Sequence, residues 1–264
     1  QMRLIKKNIL RKQKIKGYAF DKIGDNFDHF YKNHLKFKLT NAQKRVIKEI
    51  RNDLGSGAQM NRLLQGDVGS GKTIVAFMAA LIAIGNGFQA CIMTPTEILS
   101  YQHYNKFKDI WKVLNINIKV LTGSSKTSYK KQLKESLKQG EINLLIGTHA
   151  LIYDSVEFEN LGLAIIDEQH KFGVAQRSKL WHKNKFPPHI LIMTATPIPR
   201  TLAMSVYGDL DMSVIDELPP GRKYIKTFHQ TQRDRLKLLD FLKKEIDKGR
   251  QAYVVYPLIK ESEK

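Results

Sequence analysis

One eight-residue string sets most of what this chain can become. An apolar stretch runs into Gly66-Asp67-Val68-Gly69-Ser70-Gly71-Lys72-Thr73, and a second apolar stretch runs out of it. The string fits G-x-x-x-x-G-K-[ST]. Its glycines let the backbone curl so that successive N–H groups converge on phosphate oxygens. The helix expected to begin at about Lys72 adds its positive N-terminal end. Lys72 would supply a point charge to the β- and γ-phosphates of ATP, and the Thr73 hydroxyl a ligand for Mg2+. Such a loop belongs between a strand and a helix, which points to an α/β fold.

The rest of the chain follows that frame. Apolar runs of strand length fall at 62–65, 89–94, 116–121, 143–146, 163–166 and 189–193, with helical periodicity over 73–84, 97–113 and 126–138. Strands alternating with helices imply crossover connections and a mostly parallel sheet. In such sheets ligands sit beyond the carboxyl ends of the strands. Near Pro219-Pro220-Gly221 the pattern breaks. It resumes as a basic strand over 223–228, a helix over 232–248 and an apolar strand over 252–256. The expected division is a basic helical connector at 1–36, a nucleotide-binding domain at 37–226, and the start of a second domain at 227–264. Both ends look cut, as in a piece of a longer protein.

Composition narrows the partners. The 264 residues carry 44 Lys/Arg against 25 Asp/Glu, a formal charge of +19. That excess favours a polyanion, with nucleic acid the first candidate. The alternative is a basic, solvated surface. Cys91 is the single cysteine, which rules out a disulfide within the chain and fits a reducing cytoplasm. Its apolar surroundings read as core. The longest apolar run, Ile74 to Gly85, is too short to span a bilayer.

A second chemical element lies well downstream. Ala164-Ile165-Ile166-Asp167-Glu168-Gln169-His170 is an apolar strand ending in two carboxylates. Asp167 at the strand tip would hold Mg2+, directly or through water. Glu168 would orient and deprotonate the attacking water. Gln169 and His170 would couple the γ-phosphate state to a neighbouring segment, or His170 caps a helix. Thr194-Ala195-Thr196-Pro197 follows another apolar strand. Thr194 and Thr196 would hydrogen-bond the carboxylate segment and report on the nucleotide, with Arg200 close behind; the plainer reading is a turn and a helix cap. Upstream of the phosphate loop, Gln43 offers a donor and an acceptor that suit the adenine edge, and Phe37 would pack near the base.

Three further strand tips present hydroxyls, backbone N–H groups or an imidazole: Pro95-Thr96-Glu97, Thr122-Gly123 and Gly147-Thr148-His149. Each alone reads as an ordinary strand-to-helix turn. Aligned along one sheet edge, they suit contacts to a DNA backbone, which position without specifying sequence. Lys126, Lys130, Lys131, Lys134 and Lys138 follow, against the single acid Glu135.

In order and spacing these segments resemble the superfamily 2 helicases over roughly 37–260, and most closely the RecG family. The strings that carry the resemblance are Met60 to Thr73, Ile166 to Val174, Met193 to Thr201, Tyr207 to Asp211 and Asp216 to Arg222. The resemblance implies a RecA-like P-loop domain followed by the opening of a second one, seen in Tyr253 to Ile259. It implies an ATP- and Mg2+-dependent translocase, monomeric and cytoplasmic, that regresses forks and migrates Holliday junctions in repair and recombination. It also implies a branch-gripping wedge before residue 1, and an arginine finger beyond residue 264. A related transcription-coupled-repair translocase shares the Thr194 to Thr201 string, although Gln169 stands where that relative tends to carry an acid. A nucleotide-gated DNA-binding module and a P-loop kinase or transporter ATPase remain open alternatives.

Overall fold

The computed structural model describes residues 15–35, 37–153, 155–167, 186–196, 210–218 and 226–255. The chain divides into two compact units, Gln1–Pro220 and Gly221–Lys264.

In the first unit the apolar runs form seven strands: β1 Asn61–Gly66, β2 Gln89–Met93, β3 Ile118–Leu121, β4 Leu144–Gly147, β5 Leu161–Asp167, β6 His189–Thr194 and β7 Asp211–Ile215. They lie in the order β3-β4-β2-β5-β6-β1-β7, and each neighbouring pair is parallel. All seven carboxyl ends therefore share one rim. Helices α1 Asp25–His29, α2 Asn41–Leu54, α3 Lys72–Gly85, α4 Glu97–Val113 and α5 Thr127–Lys138 supply the covering layers.

Strand side chains alternate between two cores, as a period of two requires. Leu64, Ala90, Ile92, Leu163, Ile165, Leu191 and Met193 pack with α2, α3 and α4. Leu63, Cys91, Met93, Ala164, Ile166, Ile190 and Ile192 face the other way, toward Leu133 and Leu137 of α5 and the 151–158 segment. Cys91 is thus the small core residue expected of it. Helix α3 is buried from Ile74 through Ala83 without interruption, so it runs through the core rather than over the surface. On it, Phe77 stacks face to face on Phe107 at 4.3 Å and meets Trp111 edge-on at 4.3 Å. At its far end the chain passes so close to Gly24 that a methyl group on Gly85 would come within 2.8 Å of the Gly24 Cα.

Three expectations differ from what is observed. The helical reading of 1–36 holds from Asp25 through the wider turn Phe30–His34. Residues 15–24 are not helical: Lys16 forms an antiparallel bridge with Ala58, and Tyr18 and Phe20 pack on Phe88. Those rings find their packing partners only across the fold, and residues 1–14, which carry the helical spacing, lie outside the described residues. Strand β7 was not anticipated. Its polar Asp211 and Ser213 conceal an edge strand, and Ser213 turns inward to accept from Arg62 Nη1 at 2.7 Å. In the second unit a short turn, Gln232–Asp234, leads into α6 Arg235–Asp247, matching the expected helix. Residues 226–228 and 251–255 take no strand conformation. A strand needs a paired neighbour to satisfy its backbone groups, and none stands beside them among the described residues.

Candidate functional site

The phosphate loop leaves β1 at Gly66 and enters α3 at Lys72. Gly69 and Gly71 take φ values of 78° and 92°, a left-handed backbone that costs an L side chain energy but glycine little. Ser70 N donates to Asp67 O at 3.1 Å and Ile74 N to Gly71 O at 3.0 Å, closing the curl. Val68 N donates to Asp67 Oδ1 at 2.7 Å. Lys72 Nζ donates to the carbonyls of Gly66 and Asp67 at 2.6 and 3.1 Å, so its charge sits within the loop. Thr73 follows on the first turn of α3. The buried Ser70 hydroxyl has no hydrogen-bond partner among the described residues.

Helix α2 braces this loop. Thr40 caps it: its hydroxyl accepts from Gln43 N at 3.2 Å, and Gln43 Oε1 accepts from Thr40 N at 3.0 Å. Gln43 Nε2 then donates to Ser70 O at 2.8 Å. A side chain on Gly71 would collide with that amide. The Gln43 amide is therefore committed to the loop and to its own helix, at 1% exposure. Phe37 stands apart from it. The ring is half-exposed and lines a cavity of about 550 Å3 together with Phe30, His34, Ile74 and Lys106. His34 Nε2 is buried there without a partner among the described residues. Burial lowers the Lys106 pKa from its ordinary value.

Asp167 ends β5 opposite Met193 of β6, which in turn faces Leu64 of β1. Only β6 separates Asp167 from the strand that delivers the phosphate loop. Two strand spacings amount to about 10 Å. The Asp167 carboxylate accepts from His103 Nε2 at 2.9 Å; the two side chains are 14% and 8% exposed. Thr194, at the tip of β6, hydrogen-bonds Thr196 hydroxyl to hydroxyl at 2.8 Å and accepts from Thr196 N at 3.2 Å. Glu168, Gln169, His170 and Arg200 lie outside the described residues.

The three remaining tips occupy the other half of the rim. Thr94, at the end of β2, donates through its N–H to Gly147 O at 2.8 Å, joining the β2 and β4 tips. The Thr96 hydroxyl caps α4 through Leu99 N at 3.3 Å, beside Pro95. Glu97 Oε1 accepts from Ser124 N at 3.0 Å and Oε2 from the Ser124 hydroxyl at 2.5 Å, tying the β2 tip to the Thr122-Gly123 loop of β3. Those hydrogen bonds hold the Glu97 carboxyl below its ordinary pKa. Lys130 Nζ donates to Gly123 O at 2.6 Å. His149 is exposed and meets Tyr153 edge-on at 6.0 Å, while the Thr148 hydroxyl is buried without a partner among the described residues. Of the lysines in and before α5, Lys134 binds Ser155 Oγ and Lys138 pairs with Glu157. Lys126 and Lys131 are exposed.

Sequence reasoning missed His103. A histidine in mid-helix, far in sequence from the acid it meets, gives no local signal. It also missed Glu217, whose carboxylate accepts from Ala42 N at 3.2 Å at the start of α2.

Residues 40–205 match the family model described as DEAD/DEAH box helicase. The chain belongs to the DEAD/DEAH box helicase family. Within that family it is 52% identical over 259 residues to the ATP-dependent DNA helicase RecG of Aquifex aeolicus, covering 97% of this chain and 33% of the relative. It is 47% identical over 264 residues to the protein of the same name from Synechocystis, covering 100% of this chain and 32% of that one. A solved structure of RecG bound to a three-way DNA junction superposes with a TM-score of 0.81 at 45% identity, over 92% of this chain and 32% of the other. The helicase MrfA bound to DNA and AMPPNP, at 15% identity and a TM-score of 0.61, shares the fold. The resemblance to RecG thus extends over nearly all of this helicase-family chain, which spans about a third of the length of those RecG relatives.

Proposed function

We propose that this chain is the ATP-binding, motor half of a RecG-type translocase that remodels branched DNA in repair and recombination. Residues 37–226 form the first motor domain, residues 1–36 its connector from an upstream wedge, and residues 227–264 the opening of a second motor domain. One observation carries the reading: the phosphate loop, Asp167, Thr194 and the three candidate DNA-contacting tips all lie on one rim of a single parallel sheet. Nucleotide groups take the β5, β6 and β1 side, and backbone-contacting groups the β3, β4 and β2 side. A kinase or transporter ATPase gives the second half no reason to gather there.

The residues fit ATP and Mg2+. The loop curls on itself between two left-handed glycines with a lysine inside it, and its buried Ser70 hydroxyl has no hydrogen-bond partner among the described residues. Among the described residues no cluster of three His, Cys, Asp or Glu side chains could hold a metal alone. One hydroxyl (Thr73) and one carboxylate (Asp167) instead suit an ion completed by phosphate oxygens and water. When bound, that ion supplies neutralisation of the charge building on the leaving phosphates. Lys72 would exchange the Gly66 and Asp67 carbonyls for phosphate oxygens. Glu168 would take the proton of the attacking water. Gln43, with its amide engaged by Thr40 and Ser70, would act on the base only through the loop it braces rather than by reading the adenine edge, and Phe37 would pack near the base. Gln169, His170, Thr194, Thr196 and Arg200 would carry the phosphate state onward. Pro95, Thr96, Glu97, Thr122, Gly123, Gly147, Thr148 and His149 would hold the DNA backbone without reading its sequence. Among the described residues no helix is long and apolar enough to cross a membrane, and the work proposed is cytoplasmic and monomeric.

The test is ATP turnover with forked DNA, linear duplex or no DNA, in the protein and in Glu168→Gln. Stimulation greatest with forked DNA, lost in Glu168→Gln while ATP still binds, supports the motor. DNA-independent turnover favours an ordinary P-loop ATPase. A Glu168→Gln protein with unchanged function favours a nucleotide-gated binding module.

A further inference from the structure

Helix α4 begins in one half of the rim and ends its second turn in the other. Its first residue, Glu97, is fastened to Ser124 by two hydrogen bonds. Six residues further, a rise of about 9 Å, His103 meets Asp167 on the adjacent strand β5 at 2.9 Å. A carboxylate only accepts hydrogen bonds, so Nε2 carries the hydrogen. Both side chains are nearly sealed from solvent, at 8% and 14% exposure, and competing water is scarce.

The structure assigns His103 the role of a positioning residue: it fixes the Asp167 carboxylate in the orientation that receives the nucleotide-bound metal. This rests on the reading of Asp167 as the metal-holding acid. A carboxylate at a strand tip can rotate about its terminal torsion, which is broad. A bond to Oδ2 from a ring held on a helix restricts that rotation and leaves Oδ1 as the oxygen for the ion. Such outer partners of metal ligands set affinity by orientation, without touching the ion. The Thr96 cap and the Glu97–Ser124 clamp hold α4, and with it the ring, in place.

The experiment measures Mn2+ affinity by electron paramagnetic resonance, at saturating non-hydrolysable ATP analogue, for the wild-type protein and for Asp167→Asn, His103→Ala and His103→Gln. Each value is compared with that variant's affinity for a fluorescent ATP analogue in EDTA and with its melting temperature, which corrects for general loosening. Glutamine carries its amide nitrogen as many bonds from Cβ as Nε2 of histidine. Asp167→Asn should nearly abolish Mn2+ binding. His103→Ala should weaken it by about 10- to 100-fold, and His103→Gln should recover to within a few-fold of wild type. Wild-type Mn2+ affinity in His103→Ala, with Asp167→Asn impaired, overturns the assignment alone. So does a glutamine variant as weak as alanine, since the ring would then serve only packing. Unimpaired Mn2+ binding by Asp167→Asn overturns the underlying reading of Asp167 as well.

Discussion

Gln43 Nε2 and Ser70 O lie 2.8 Å apart, and Gly71 sits so close to the amide that no side chain fits between them. The same Gln43 completes the capping box of α2 through Thr40. The nucleotide loop and the helix upstream of it are thus one hydrogen-bonded body. Gln43→Ala removes one buried and one partly buried hydrogen bond, takes the Gln43 partner from Ser70 O and should destabilise the fold by about 1–3 kcal/mol. Gly71→Ala forces an alanine into φ 92° against the amide; it should lower ATP affinity more than Gln43→Ala does. Urea denaturation and fluorescent-nucleotide titration measure the two effects.

His189 is a pH-sensitive anchor. Its Nδ1 accepts from Met60 N at 2.9 Å and its Nε2 faces Tyr18 O at 3.0 Å, so the neutral ring joins the β1 start to the N-terminal segment. Burial lowers its pKa from 6.5 to about 4, against a small upward pull from the Tyr18 carbonyl. The unfolded chain therefore takes up a proton near pH 6.5, which the folded chain refuses until about pH 4. This contribution is fully present above pH 6.5 and falls as pH drops toward 4, by about 2 kcal/mol at pH 5. Denaturation at pH 7.5 and pH 5 should show that loss, and His189→Asn should show less of it.

Four of the lysines in and just before α5 divide into two groups by their neighbours. Lys134 and Lys138 are engaged by Ser155 and Glu157. Lys126 and Lys131 have no hydrogen-bond or ion-pair partner among the described residues. Replacing Lys126 and Lys131 together with alanine should reduce the slope of log affinity for DNA against log salt by about 1.5–2. The Lys134/Lys138 double variant should change it less. Fluorescence anisotropy from low to moderate salt separates the two.

Phe77 is 1% exposed and wedged between Phe107 and Trp111. Phe77→Ala should cost about 3–5 kcal/mol through lost burial and a residual cavity, and Phe77→Leu less. Thermal unfolding of the two variants gives the comparison.

What the sequence reveals follows the strength of each local pattern. Strands buried on both faces, such as Leu161–Asp167 and His189–Thr194, are continuous apolar runs and were legible. Helix α4 was legible to the residue, because Thr96 caps it and its periodicity is unbroken. Strand β7 was not, because Ser213 faces inward to satisfy Arg62, a pairing across the fold that no local window contains. The segment at 15–24 misled for the opposite reason, since its aromatic rings find partners only in tertiary structure. In the site, phosphate-loop geometry is written into adjacent residues. The His103–Asp167 bond depends on two strands being neighbours in space, which spacing along the chain does not encode.

Helix α3 has a mechanical consequence. Its fourteen residues form a strut about 20 Å long, buried without interruption from Ile74 through Ala83. One end carries Lys72; the other abuts Gly24 with no clearance for even a methyl group. A strut so confined can neither buckle nor slide independently of its surroundings. A displacement imposed at the Lys72 end would therefore be passed to the backbone at Gly24, at the other end of the helix.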